Sequence, residues 1–107
     1  MKRCLYYVLD DQNNAIPCED VLEWGEKFAD FSKRQVADTS LLDTIRVSTV
    51  FIGIDHAWND GPPLVFESMV FGGEDDGYME RYSTWEEAEK GHHNIVAKIL
   101  LDKSLGA

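Results

Sequence analysis

Two runs of β-branched and aromatic residues, "TIRVSTVFIGI" at 44–54 and "LVFESMVFGG" at 64–73, constrain the fold of this chain most. The first is apolar on both faces from Val50 to Ile54, as a central strand partly covered on its second side requires. The second repeats that composition, so the two predict an antiparallel pair joined by a long loop. "GGEDDG" at 72–77 then reads as a turn, and "YMERY" at 78–82 as the returning third strand of a meander.

Helical periodicity flanks these strands. In "CEDVLEWGEKFADFSKR", 18–34, Val21, Trp24, Phe28 and Phe31 recur at spacings of three, four and three, which puts them on one helical face. Pro17, Glu19 and Asp20 suit its start, where free N–H groups favour negative charge. Glu23 with Lys27, and Asp30 with Arg34, have the favourable i,i+4 order. At 83–103, Trp85, Ala88, His92, Ile95, Val96 and Ile99 form a second stripe. Thr84 with Glu87 is a capping box before it, and Ser83 with Glu86 an overlapping alternative.

Two segments are less periodic. "RCLYYVL", 3–9, reads as a strand stopped by the turn formers "DDQNN". "QVADTSLLD", 35–43, has no clear period and is either a short edge strand near Val36 or only a connection. The order predicts an α+β domain: an antiparallel three- to four-stranded sheet with two helices packed mainly on one face (β-α-β-β-(β)-α). With 107 residues, 44% of them hydrophobic, the chain suits a single domain with a small core.

Charge narrows the function classes. Twenty acids against ten Lys and Arg give a formal charge of −10, which repels phosphate backbones and anionic membranes. Direct nucleic-acid binding is disfavoured, while basic protein surfaces are attracted. The bland alternative is that the acidity only keeps the domain in solution. No segment approaches the roughly 18 apolar residues of a membrane span, and the first apolar run is too short for a signal peptide. Cys4 and Cys18 have no CxxC or Cys/His spacing. A soluble, cytoplasmic protein is expected.

The densest chemistry lies in "GIDHAWNDGPP" at 53–63. Asp55 and His56 end the central strand, Trp58 offers a flat surface, Asn59 and Asp60 supply turn chemistry, and Pro62 and Pro63 stiffen the re-entry. Long ordered loops in small domains are disproportionately functional. His92, in the middle of an apolar stripe, is either a core histidine bonded to a hydroxyl or carbonyl, or it faces a cavity with Asp55 or Glu67. Gly91 beside it permits close approach by the sheet or by a ligand. Glu67 alternates away from Phe66 and is either solvated or paired with Arg46 or Arg81. Asp55, His56 and Asp60 lack a recognised metal-ligand spacing, so neither metal nor cofactor is expected. Ser48, Ser68 and the cysteines lie in no nucleophile signature, and Gly72-Gly73 is a turn pair rather than a phosphate loop. An acid/base group of Asp55, His56 and His92 requires that folding assemble it.

"RVSTVFIGIDHAWNDGPPLVFESMVFGG", "RYSTWEEAEKGH" and "VLEWGEKFAD" together resemble a family of small uncharacterised proteins encoded by bacteriophages and prophages. The resemblance covers most of the chain, from about Tyr6 to His92, and implies a setting in the host cytoplasm without assigning a catalytic residue. Joined to the charge, it suggests a protein that binds and modulates or inhibits a host factor with a basic surface, with an anti-defence role as one version. The alternative is a small-molecule or nucleotide-signal binder, with Trp58 stacking a base, Arg81 or Arg46 meeting phosphate and His92 lining the pocket. A small acid/base enzyme is the third reading. An exposed edge strand or Trp58 also offers a route to a homodimer.

Overall fold

The computed structural model describes residues 5–57 and 60–105. The chain opens as a hairpin of β1 (Tyr7–Leu9) and β2 (Ala15–Pro17), antiparallel with Tyr7 opposite Pro17. Asp10 makes the turn: its Oδ1 accepts the N–H groups of Gln12 and Asn14, both at 2.9 Å. Asn13, at φ 64°, takes the left-handed conformation that Asn tolerates. The strand expected near the N-terminus is therefore present, but it forms a two-stranded sheet of its own. That hairpin is tied to the neighbourhood of Gly53: Tyr7 N–H donates to Gly53 O and Asp55 N–H to Leu5 O, each at 2.9 Å.

Helix α1 (Val21–Phe28) starts at Asp20, whose carboxylate accepts the N–H groups of Leu22 and Glu23 at 3.0 and 3.4 Å. The expected single helix through Arg34 breaks at Asp30 and resumes as α2 (Phe31–Arg34). Asp30 leaves the helical region at φ −85°, ψ 89°, and its carboxylate takes the Ser32 hydroxyl at 2.6 Å. Such local side-chain bonding competes with helix continuation. Two consequences correct the sequence pattern. Phe31 is 46% exposed instead of sharing a buried face, and Asp30 pairs with Lys33 at 3.9 Å instead of Arg34. No residue of α1 is fully buried. It packs mainly on β1, and Trp24 and Phe28 stand against Gly53.

The main sheet is a meander of β3 (Gln35–Leu41), β4 (Ile45–Phe51), β5 (Phe66–Phe71) and β6 (Met79–Tyr82), antiparallel in that spatial order. Segment 35–43, left open by its pattern, thus holds a full edge strand, with a register irregularity between Gln35 and Ala37. The β5–β6 turn closes against the β3–β4 turn, where a Cβ on Gly72, at φ 86°, would lie 2.0 Å from Thr44 O.

Helix α3 (Trp85–Leu105) lies on one face of this sheet and contacts all four strands. It begins with the predicted capping box: Glu87 N–H donates to Thr84 Oγ1 at 3.0 Å, and Glu87 Oε1 accepts Thr84 N–H at 3.2 Å. Its stripe packs Ile95 and Ile99 against Leu41, Ile45, Val47 and Val70, and Ala88 against Phe51, Val65 and Phe66. Fully burying residues such as Val47 and Phe66 stabilises the fold by about 1.5 to 3 kcal/mol each. No helix among the described residues is long and apolar enough to cross a membrane.

Candidate functional site

The connector after β4 is held by its own backbone. Ile52 N–H donates to Val65 O at 2.7 Å and His56 N–H to Leu64 O at 3.0 Å, so its two limbs stay paired beyond the sheet. Asp55 Oδ1 accepts Ala57 N–H at 2.8 Å and Leu64 N–H at 3.0 Å, pinning both limbs at once. His56 and Asp60 are exposed, and Trp58 and Asn59 lie outside the described residues.

Glu67 and Arg81 stand elsewhere. Thr49 and Ser68 are buried toward α3, so their strand neighbours Val50 and Glu67 point to the opposite face. There Arg81 Nε donates to Glu67 Oε2 at 3.2 Å. A second pair, Arg46 with Asp38, is bidentate, with guanidinium nitrogens 2.8 and 2.9 Å from the carboxylate oxygens. Arg46 holds the Asp38 carboxyl below the usual carboxylate range.

His92 occupies a third place, 1% exposed between α3 and the sheet. Its Nδ1 lies 2.7 Å from Thr49 Oγ1 and its Nε2 2.8 Å from Thr39 Oγ1, so hydroxyls occupy both nitrogens. Thr49 Oγ1 is 2.5 Å from Ser68 Oγ, and the Tyr82 hydroxyl is 3.0 Å from both Ser68 Oγ and Glu80 Oε1. Because a carboxylate only accepts, one direction of donation satisfies every member: Thr39 to His92, His92 to Thr49, then Ser68, Tyr82 and Glu80. This chain crosses all four strands of the sheet. Burial lowers the His92 pKa, with help from neighbouring His93 and against Asp38, so the ring is held neutral. Burial likewise pushes the Tyr82 phenol up to about 12.

The structure therefore distributes the sequence-derived residues over connector, outer sheet face and core. Asp55 and Glu67 have other partners, and the ring nitrogens of His92 are taken by Thr39 and Thr49, the hydroxyl-bonded arrangement. Chemically, His92 without a carboxylate partner or an open face is a structural neutral imidazole. No group of three or more His, Cys, Asp or Glu among the described residues is placed to hold a metal ion.

A further concavity is one the sequence patterns do not single out. A cleft of about 640 Å³ opens between the β1–β2 hairpin, α1–α2 and the start of α3. Its apolar walls are Tyr7, Trp24, Phe28, Phe51 and Trp85, and Arg34 is its innermost cation. The Arg34 guanidinium lies 3.7 Å over the Phe28 ring, donates one N–H to Phe51 O at 3.0 Å, and keeps a buried Nε without a hydrogen-bond partner. The sequence signal for this site is Asp30: a helix stop four residues before Arg34 frees that side chain from the solvent face.

No protein-family model, no curated protein and no solved structure matches the chain.

Proposed function

We propose that the protein is a small acidic accessory protein of phage type that binds a host protein through that partner's basic surface and thereby modulates or blocks it, as an anti-defence factor does. The observation that carries this reading is how the cations are used. Among the eight Lys and Arg of the described residues, Arg46, Arg81, Lys27 and Lys33 are engaged by Asp38, Glu67, Glu23 and Asp30, Arg34 is turned inward over Phe28, and Lys90, Lys98 and Lys103 stand exposed along α3. The carboxylates of Glu74, Asp75, Asp76, Glu86, Glu89 and Asp102 are exposed. The exposed acids outnumber the exposed cations left unpaired, in keeping with the net charge of −10. Such a field steers basic partners and repels nucleic-acid backbones. Glu74, Asp75 and Asp102 line one crevice at the β5–β6 turn, beside Lys103, and offer a basic side chain a concave, acid-rimmed seat.

The experiment is capture of partners from host lysate at low and high salt, with the wild type beside a Glu74→Gln, Asp75→Asn, Asp76→Asn variant. A basic partner, retained at low salt, released as the Debye length shrinks from about 10 to about 3 Å and weakened by the variant, supports the reading. Capture indifferent to salt and to the variant, or no specific capture, removes it.

A further inference from the structure

We propose that the cleft between the β1–β2 hairpin, α1–α2 and the start of α3 binds a small planar aromatic carboxylate, with Arg34 as the anion contact and the ring against the wall of Trp24, Phe28 and Trp85. This site is independent of the partner reading, which concerns the acidic exterior. A volume of about 640 Å³ falls within the range of small-molecule sites, roughly 300 to 1,000 Å³. Its walls are fixed before any ligand arrives. Trp24 donates Nε1–H to Gly53 O at 3.0 Å, stacks on Phe28 at 4.7 Å between ring centres and tilts against Tyr6 at 4.9 Å. Trp85 stands edge-on to Phe66, whose ring also packs on Phe51. Pre-organised flat surfaces lower the ordering cost of binding.

Arg34 supplies the polar selectivity. It belongs to no salt bridge among the described residues, unlike Arg46 and Arg81, and it is only half-exposed. Phe28 and the Phe51 carbonyl hold the guanidinium plane: Nη1 donates to Phe51 O and Nε is buried, which leaves Nη2, with no hydrogen bond to the described residues, as the donor open to a ligand. A carboxylate in a partly desolvated site makes short charge-assisted bonds to such a fork. The rim sets the ligand's charge. Asp10, Asp11, Glu26 and Asp30 outnumber Lys27 and Lys33 there, so the rim opposes anions in proportion to their charge: a phosphate dianion or a polyphosphate is repelled more than a monoanion, whose smaller repulsion the Arg34 contact and the aromatic wall have to outweigh.

The probes are indole-3-acetate, its uncharged amide indole-3-acetamide, and adenosine monophosphate, titrated into the full chain while the side-chain N–H signals of Trp24, Trp85 and Arg34 are followed by NMR. The acetate is expected to saturate with shifts at all three, the amide to bind about tenfold or more weakly, and the monophosphate to bind more weakly than the acetate. Arg34→Gln is expected to lose about tenfold or more of the acetate affinity, with Arg34→Lys in between. Should Arg34→Gln fail to fold, the acetate–amide comparison on the wild type still decides. Absence of saturation by the acetate up to about 10 mM, equal affinity for acetate and amide, or shifts confined to residues outside the cleft each overturn the proposal. Tighter binding of the monophosphate overturns the monoanion class.

Discussion

Gly91 and Tyr82 are in such close contact that a Cβ at residue 91 would lie 2.3 Å from Cε1 and from the hydroxyl oxygen of the Tyr82 ring. The ring cannot simply swing aside, because its hydroxyl is bonded toward Ser68 and Glu80. In an ordinary helix interior Gly→Ala gains up to about 1 kcal/mol. Here the clash reverses the sign, and Gly91→Ala is expected to destabilise by about 1 to 3 kcal/mol, as overpacking does. In a Tyr82→Ala background the same change is expected to be neutral or stabilising. Denaturant unfolding of the four proteins measures the coupling; additive effects would show that the contact is not what requires glycine.

The buried imidazole makes stability depend on pH. The native pKa of His92 is lowered from its ordinary 6.5, so between that value and its native pKa the unfolded chain binds more protons than the folded one. Stability from this group is complete above about pH 6.5 and declines as pH falls through the window, by at most about 1.4 kcal/mol per unit. His92→Gln is expected to lower stability at neutral pH by about 2 to 4 kcal/mol, through the lost hydroxyl partners, and to flatten the slope below about pH 6.5. An unchanged slope in the variant would assign the acid sensitivity to other groups.

The same polar chain explains why part of the fold is illegible in the sequence. β3 alternates Ala37, Thr39 and Leu41 inward with Asp38 and Ser40 outward, but the central inward residue is polar because it serves His92, so no apolar period appears. β4 and β5 are legible since their inward rows consist mainly of large apolar residues. The α3 stripe and its capping box are legible because both signals are local. Trp24 and Phe28 have helical spacing, yet their face meets Gly53 and a cleft rather than a sheet, and spacing alone does not reveal what a face packs against. Of the candidate site, Asp55 stands out by position, but its role depends on the backbone amide of Leu64, nine residues further on, which no side-chain pattern records.

Helix α3 carries most of the core contacts of the sheet, so its first turn is a sensitive place to test the capping geometry. Thr84→Ala removes the acceptor of Glu87 N–H and is expected to cost about 1 kcal/mol. Glu87→Ala releases the N–H groups of Ser83 and Thr84 and should cost a similar amount, with the double variant less than additive because the two bonds are reciprocal. Thermal unfolding resolves this. Strict additivity would mean that the box does not act as a unit.

Asp55 decides whether the proline-ended connector is an ordered surface. One carboxylate oxygen receives amides from both limbs, Ala57 and Leu64, at the far end of a connection whose backbone pairing runs through Ile52 and Gly53 with Val65 and ends, among the described residues, with His56 N–H on Leu64 O. Asp55→Ala leaves both N–H groups without this acceptor and is expected to cost about 1 to 3 kcal/mol, while Asp55→Asn keeps a side-chain oxygen in place and costs less. The sharper readout is local. Hydrogen exchange at Ala57 and Leu64 should accelerate in Asp55→Ala beyond what the global loss of stability accounts for, with the β4–β5 amides following only the global change. Exchange at 57 and 64 that merely tracks global unfolding would mean that the limbs are held by the strands and that Asp55 adds no clamp of its own.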